Sequence, residues 1–336
     1  MPNIVVIGAS AGGIEVLRSI ARSLPRDLQA AIFVVTHMAS STPSVLSKIL
    51  RCPGGIRVSP AVDGEPIEPS RIYVATPDLH LLVEPGRVRL TRGPRENRQR
   101  PAVDPLFRTA AHAYGSRVLG IVLSGLLDDG ALGLYIVKSE GGTAMVQDPN
   151  EAMFDSMPRK ALAIVDVDYV LKAAEMPQVI EDLAKEPWRP VEPERARAVR
   201  RQVLGPEDER MSKADDEREM GKPSMFTCPD CSGTLWEVQE GDLTRFRCRV
   251  GHAFSPESMR DGYRDDIEGA LWTAVRTLEE SAAFERKLAS LASDRADEKT
   301  ANRFLDVAAS REQQAEIIRE LLMKKDESGR EAKEIA

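Results

Sequence analysis

The stretch Asn3-Ile4-Val5-Val6-Ile7-Gly8-Ala9-Ser10-Ala11-Gly12-Gly13, followed by the apolar-periodic run Ile14 to Ile20, decides the fold. A short β-branched run stops at glycine and gives way to helical spacing within a few residues. That is a strand feeding a helix through a tight turn. Working outward, the same alternation recurs. Ala30 to Val35 reads as a buried strand and Pro43 to Leu50 as a helix. Ile72 to Ala75 is a strand, and Leu81 to Leu90 a strand pair hinged at Glu84-Pro85-Gly86. Pro105 to Tyr114 is helical, Arg117 to Ser124 a strand, Ala131 to Ser139 a helix and Thr143 to Gln147 a strand. A helix near Met157 to Ala163 precedes a last short strand at Ala163 to Val165. Strands alternating with helices predict an α/β domain over residues 1–188, with a mostly parallel, doubly wound sheet.

The chain has 336 residues, of which 42% are hydrophobic and 29% charged, the balance of a packed domain joined to solvated segments. Residues 1–190 hold 21 Lys plus Arg against 21 Asp plus Glu, and the rest 25 against 32. The net charge of −7 therefore belongs to the C-terminal part, which argues against a general nucleic-acid binder. A local run of arginines at 87, 89, 92, 95, 98 and 100 suits a solvated loop as well as an acidic partner. No apolar run reaches the roughly 18 to 20 residues that span a bilayer. The N-terminus shows no basic leader with a cleavage site, so a cytoplasmic protein without membrane insertion is expected.

Residues 189–224 are rich in Pro, Glu, Asp, Arg and Lys and predict a disordered linker. A small cysteine-containing module follows at 225–255, then a charged amphipathic tail at 256–336. In that tail Leu271, Val275, Leu278, Ala282, Glu285 and Ala289 fall at 4-3 spacing. Phe304, Ala308, Arg311, Ala315, Ile318 and Leu322 repeat it, which predicts an α-helical hairpin. Such a hairpin packs on itself, or else docks a helical partner or dimerises.

The turn Gly8 to Gly13 admits three readings. A dinucleotide fingerprint needs glycine at the middle position, where Ser10 stands. The pattern G-x-S-x-G instead projects a serine hydroxyl above a sheet, and a plain structural turn is the third reading. A serine nucleophile needs a base. Of the four histidines, His37 follows the strand Ala30 to Val35, at the sheet edge that Ser10 occupies. His80 lies near a turn and could line the same cleft, whereas His112 sits within a helix. A third strand end, Leu123-Ser124-Gly125-Leu126-Leu127-Asp128-Asp129-Gly130, presents two acids. Ser, His and Asp thus converge on one edge, in a chain order unlike that of ordinary α/β-hydrolases.

These residues resemble the catalytic domain of the CheB-type chemotaxis protein-glutamate methylesterases. The matching blocks are Ile7 to Gly13, Thr36-His37-Met38, Ile72 to Pro77 with His80, Arg100 to Asp104, Gly125 to Ala131 and Ser156-Met157-Pro158. The resemblance implies Ser10 as nucleophile, His37 as general base and Asp129 as the acid that orients it. It also implies an oxyanion site of the Ala11 and Leu126 N–H groups, and no cofactor for catalysis. The implied reaction is hydrolysis of glutamate methyl esters on chemoreceptor helices to glutamate and methanol, with deamidation of receptor glutamines. The family loop reads G-M-G-N-D-G, so Leu127 replaces a glycine and Asp128 adds a charge beside the triad. Ala39 stands where the family has proline, and the expectation is a catalytic domain without a phospho-receiver. A catalytically weak adaptor, binding a partner through its C-terminal module and tail, is the alternative.

Cys228, Cys231, Cys248 and His252 form C-x2-C-x16-C-x3-H, the ligand types and spacing of tetrahedral zinc. A structural zinc ribbon is expected, its metal supplying folding free energy that so small a segment cannot draw from a core. Cys52 stands apart, a free thiol.

Overall fold

The computed structural model describes residues 3–38, 45–185, 221–240 and 243–334, with side chains through Met323. Most of the expected linker and the departure at Ala39 lie outside these residues. The α/β region begins with strand β1 (Ile4–Ala9), helix α1 (Gly13–Ser23), β2 (Ala31–Thr36) and α2 (Leu46–Leu50). Then come β3 (Arg57–Pro60), β4 (Arg71–Val74), the hairpin β5 (His80–Glu84) and β6 (Arg87–Thr91), and α3 (Val103–Tyr114). It ends with β7 (Val118–Val122), α4 (Ala131–Ser139), β8 (Thr143–Gln147), α5 (Ser156–Ile164), β9 (Tyr169–Leu171) and α6 (Met176–Leu183).

Seven strands form one parallel sheet in the order β3-β4-β2-β1-β7-β8-β9. The expected doubly wound α/β architecture is present. All six residues of β1 are buried, and they divide by parity. Ile4 and Val6 join a core with α3, α4 and α5, whereas Val5, Ile7 and Ala9 join a second core with α1, α2 and α6. A strand covered on both faces reads as a continuous apolar run, which is why residues 4–7 carry no polar alternation. β1 lies between β2 and β7, so the chain reverses its direction of growth there. Sheets of this kind open a crevice at the carboxyl ends of the strands flanking such a reversal.

One expected strand is corrected. Ala163 to Val165 closes helix α5, whose last turn ties the Val165 N–H to the Ala161 carbonyl at 2.9 Å. The edge strand is instead Tyr169–Leu171. Strand β3 and helix α6 are additions to the sequence reading.

A second, four-stranded antiparallel sheet comprises β10 (Lys222–Thr227), β11 (Thr234–Glu240), β12 (Leu243–Cys248) and β13 (Ala253–Phe254). Its first strand starts within the stretch assigned to the linker. This sheet and the α/β region together make one compact unit through Met259.

Helices α7 (Pro256–Ser293) and α8 (Glu298–Glu334) supply the other unit, from Arg260 onward. They form the expected hairpin. Its fully covered positions are Val275, Ala282 and Ala289 on one helix, with Ala301, Ala308, Ala315 and Leu322 on the other. The 4-3 series is thus buried at every seventh residue, and alanines at those positions allow close helix approach. Arg286 pairs with Glu312 at 2.6 Å across the hairpin, and Arg319 pairs with Glu279.

Candidate active site

Ser10 follows β1, His37 follows β2, and the Leu123–Gly130 loop follows β7. The three meet over the crevice. The turn after β1 works because Gly12 takes φ +75°, and a Cβ there would lie 2.8 Å from Ser124 Oγ. The Ser10 carbonyl is fixed by the Gly13 N–H at 3.1 Å. Since a trans peptide points its N–H opposite its carbonyl, the Ala11 N–H faces away from α1. By the same logic, the Met157 N–H holds the Gly125 carbonyl at 3.0 Å and turns the Leu126 N–H away from α5. A side chain at Gly125 would strike Met157 Sδ at 2.0 Å and Ser10 Cβ at 2.8 Å.

Ser10 Oγ lies 3.1 Å from His37 Nδ1, and His37 Nε2 lies 2.7 Å from Asp129 Oδ2. An ionised carboxylate only accepts, so Nε2 carries the ring proton and the Nδ1 lone pair faces the serine hydroxyl. Asp129 is 2% exposed and His37 13%. Burial opposes the Asp129 charge. The hydrogen bond and charge of His37 outweigh it, together with the Val103 N–H and the Asn97 amide, and hold the carboxyl below its ordinary range.

Sequence reasoning missed the cradle around Asp129. Val103 N–H donates to Oδ2 at 2.7 Å and Asp104 N–H to Oδ1 at 3.1 Å, both from the first turn of α3. Asn97 Nδ2 donates to Oδ1 at 3.0 Å and to Asp104 Oδ2 at 2.9 Å. Asp104 in turn accepts from the Gly130 and Gly133 N–H groups at 2.9 and 2.8 Å. Burial, and then the Asp129 charge, push the Asp104 carboxyl up to about 8. Only the Arg100–Asp104 block signalled this group in the sequence, with no role attached.

Asp128 is mostly buried beside the triad, and burial pushes it up to about 6. Ser255 Oγ donates to it at 2.9 Å, and Glu257 faces it while paired to Lys160. Leu127 adopts φ +63°, a left-handed conformation that suits the glycine whose place it takes. Replacing Leu127 by glycine is expected to raise unfolding stability by about 1 kcal/mol, read from the denaturation midpoint.

The other histidines are structural. His80 is buried, with Nε2–H donating to the Pro94 carbonyl at 2.9 Å and Nδ1 accepting from the Ala102 N–H at 3.3 Å. His112 lies 3.4 Å from Glu140. Within the arginine run, Arg92 and Arg100 both engage Asp78, at 2.9 and 2.6 Å.

Cys228, Cys231, Cys248 and His252 offer four ligand atoms all within 4.8 Å of one another. Two tight turns present them, closed by Cys228 with Gly233 and by Cys248 with His252. Cys231 Sγ to Cys248 Sγ is 3.7 Å, and His252 Nδ1 is 3.5 Å from Cys248 Sγ and 3.7 Å from Cys228 Sγ. Tetrahedral Zn–S bonds of about 2.3 Å set ligand atoms about 3.8 Å apart, so these residues fit a four-coordinate metal ion with no open position.

A family profile described as CheB methylesterase matches residues 5–180. A Leptospira interrogans relative is 39% identical over 168 residues, which are 50% of this chain and 87% of that protein. A second, from Anaeromyxobacter dehalogenans, is named protein-glutamate methylesterase/protein-glutamine glutaminase 2. It is 37% identical over 182 residues, 54% of this chain, which spans about half of that protein's length at 53%. The crystal structure of the Thermotoga maritima CheB methylesterase catalytic domain superposes with a TM-score of 0.52 at 34% identity. The match covers 55% of this chain and 99% of that one. With the strand order, the edge carrying Ser10 and His37, and the profile in agreement, the chain belongs to the CheB methylesterase family.

Proposed function

We propose that this protein is a serine-type carboxylic ester hydrolase that removes methyl groups from glutamate side chains of chemoreceptor helices. It would release methanol and also deamidate receptor glutamines. The observation that carries this reading is the unbroken hydrogen-bond chain from Ser10 Oγ through His37 to buried Asp129. His37 Nδ1 takes the serine proton as Oγ attacks the ester carbonyl, and the Asp129 charge stabilises the imidazolium that forms. The Ala11 and Leu126 N–H groups hold the developing oxyanion. His37 then protonates the departing methoxide, and water repeats the sequence on the acyl-enzyme, regenerating Ser10 and leaving glutamate. No cofactor enters the chemistry.

Cys228, Cys231, Cys248 and His252 would hold a structural zinc ion that ties the 225–255 module together. Residues 1–188 form the catalytic part, and the tail at 256–336 offers a helical surface for a signalling partner. Among the described residues no helix is long and apolar enough to cross a membrane. Action on the cytoplasmic part of receptors fits that.

The test is methanol release from methylated chemoreceptor membranes by the full chain, with Ser10→Ala as the blank. Release by the wild type alone is the expected result. A folded, zinc-loaded wild type that releases none would overturn the assignment.

A further inference from the structure

The small antiparallel sheet does not hang free of the α/β region. Its strand β13 bonds to the loop before α3: the Ala253 N–H donates to the Arg95 carbonyl at 3.2 Å, and the Asn97 N–H donates to the Ala253 carbonyl at 2.8 Å. Glu96 lies between Arg108 of α3 and Arg245 of β12, at 2.6 and 3.1 Å, with 7% of its side chain exposed. Burial opposes its charge, but the two guanidinium groups hold the carboxyl far below its ordinary range. A buried carboxylate shared by a guanidinium from each element ties them together, because truncating Glu96 leaves both cations without it and truncating either arginine costs it one of its two charged donors.

Between these anchors sits Asn97, 3% exposed, with φ +49°. Its Nδ2 donates to Asp129 and to Asp104. Its Oδ1 accepts from the Ser255 N–H and from Ser258 Oγ, each at 3.1 Å. Ser258 is fully buried. An amide in the middle of a planar group cannot rotate without losing donors and acceptors together, so Ser255 and Ser258 fix which end of Asn97 faces the triad acid. On the other side of the loop, Ser255 Oγ reaches Asp128, the neighbour of Asp129.

We infer that the segment joining the cysteine module to the helical tail is a positioning element of the active site, with Ser258 and Asn97 holding Asp129 in register with His37. Neither residue touches the substrate. Both act by fixing the acceptor geometry of Asp129, and through it the ring tautomer that leaves Nδ1 free for Ser10. The catalytic part and the module are then one functional unit. This inference rests on the esterase reading above.

The test uses the full chain. Ser258→Ala removes one hydroxyl and is expected to lower kcat on the order of fivefold with KM unchanged, the size of one lost hydrogen bond. Asn97→Gly, which tolerates the positive φ and leaves the module's own sequence intact, is expected to lower kcat on the order of a hundredfold. Asp129 loses a donor outright in Asn97→Gly, and in Ser258→Ala the Asn97 amide that donates to it loses an anchor. In both, its charge falls more fully on the imidazolium and the acid limb of the kcat/KM profile moves to higher pH, further in Asn97→Gly. Ser258→Thr, which restores the hydroxyl, is expected to return kcat and profile to wild type. Zinc content and the folded spectrum serve as controls, and Asn97→Gly decides the matter if Ser258→Ala does not fold. Wild-type kcat and pH profile in folded, zinc-loaded Asn97→Gly would overturn the inference. So would a change in KM alone, or a rise in kcat, which would make the module a restraint. A readout without substrate separates this from the functional reading. The 15N spectrum of the His37 ring should report the Nε2–H tautomer in the wild type and a tautomer mixture in Asn97→Gly. If the wild type released no methanol, the esterase reading would fail while an unchanged tautomer would still sink the positioning role.

Discussion

Ser10→Ala is expected to lower kcat for methyl-ester hydrolysis on the order of 10⁶-fold, and His37→Ala by about as much, while the double variant should be no worse than either. The reasoning is that the two side chains perform one act. The serine hydroxyl is a weak nucleophile unless its proton leaves as the carbon–oxygen bond forms, and Nδ1 at 3.1 Å is the acceptor in place. Without Oγ, the imidazole has no nucleophile to serve. Without the imidazole, Oγ has no base. What survives is the contribution of substrate binding and of the backbone donors at Ala11 and Leu126, which still accelerate direct attack by water on the order of 10³-fold over solution. Asp129→Asn should cost less, about 10⁴-fold, for a different reason. An amide there must aim its NH2 either at the His37 Nε2–H and Val103 N–H, which share Oδ2, or at the Asp104 and Asn97 donors on Oδ1. Either choice sets donor against donor; the first also favours the ring tautomer that points a proton at Ser10, and both remove the charge that stabilises the imidazolium. Single-turnover methanol release from methylated receptor membranes measures all four variants. A double variant much slower than the singles, or a Ser10→Ala protein within tenfold of wild type, would break the argument.

How far this site was legible in the chain follows from where its information resides. β1, β2 and β7 announce themselves because strands buried on both faces must be apolar throughout, and each ends at a glycine, a histidine or an acidic loop that stands out against that run. The last strand misled for the same reason. Ala163 to Val165 is as apolar as a strand, yet it closes α5, whereas Tyr169–Leu171 is a three-residue edge strand among Asp166, Asp168 and Lys172 and leaves Val170 exposed. β3, with only Val58 buried and a proline at its end, sends an equally weak signal. Edge strands need fewer apolar residues because one side faces solvent.

The residues that hold Asp129 were out of reach of pattern reading. Asn97 gains its meaning only when the chain returns 158 and 161 positions later with Ser255 and Ser258, and nothing in Ser255-Pro256-Glu257-Ser258 marks it as more than a helix start. Leu127 and Asp128 were visible as departures from the family loop, but their consequences are tertiary. One is a positive φ in a side-chain-bearing residue, the other a half-buried carboxyl facing Ser255 and Glu257. The clustering of Cys228, Cys231, Cys248 and His252, by contrast, was legible in their spacing, since two tight turns of fixed length suffice to bring their four side-chain atoms together.

Metal removal is expected to have the second large effect. The module encloses little apolar material, chiefly Leu235, Phe246, Ala253 and Phe254, too few side chains to offset the ordering of some thirty residues at about 1 to 2 kcal/mol each. A tetrahedral zinc site contributes roughly 10 to 16 kcal/mol of apparent folding free energy at neutral pH. Stripping the ion with a strong chelator should therefore unfold β10 to β13 while the seven-stranded sheet, with two cores of its own, stays folded. Amide hydrogen exchange reads this directly: protection is lost across 222–254 and kept in β1, β2 and β7. Cys228→Ser should bind zinc substoichiometrically and show the same partial unfolding without chelator. Because β13 supplies the Ala253 bonds to Arg95 and Asn97, the metal-free chain should also lose catalytic rate although no zinc ligand comes from the triad. Zinc added back in equimolar amount should restore protection and rate together. If the stripped protein kept full protection across the module, the ion would be dispensable for folding and the link from metal to triad would fall with it.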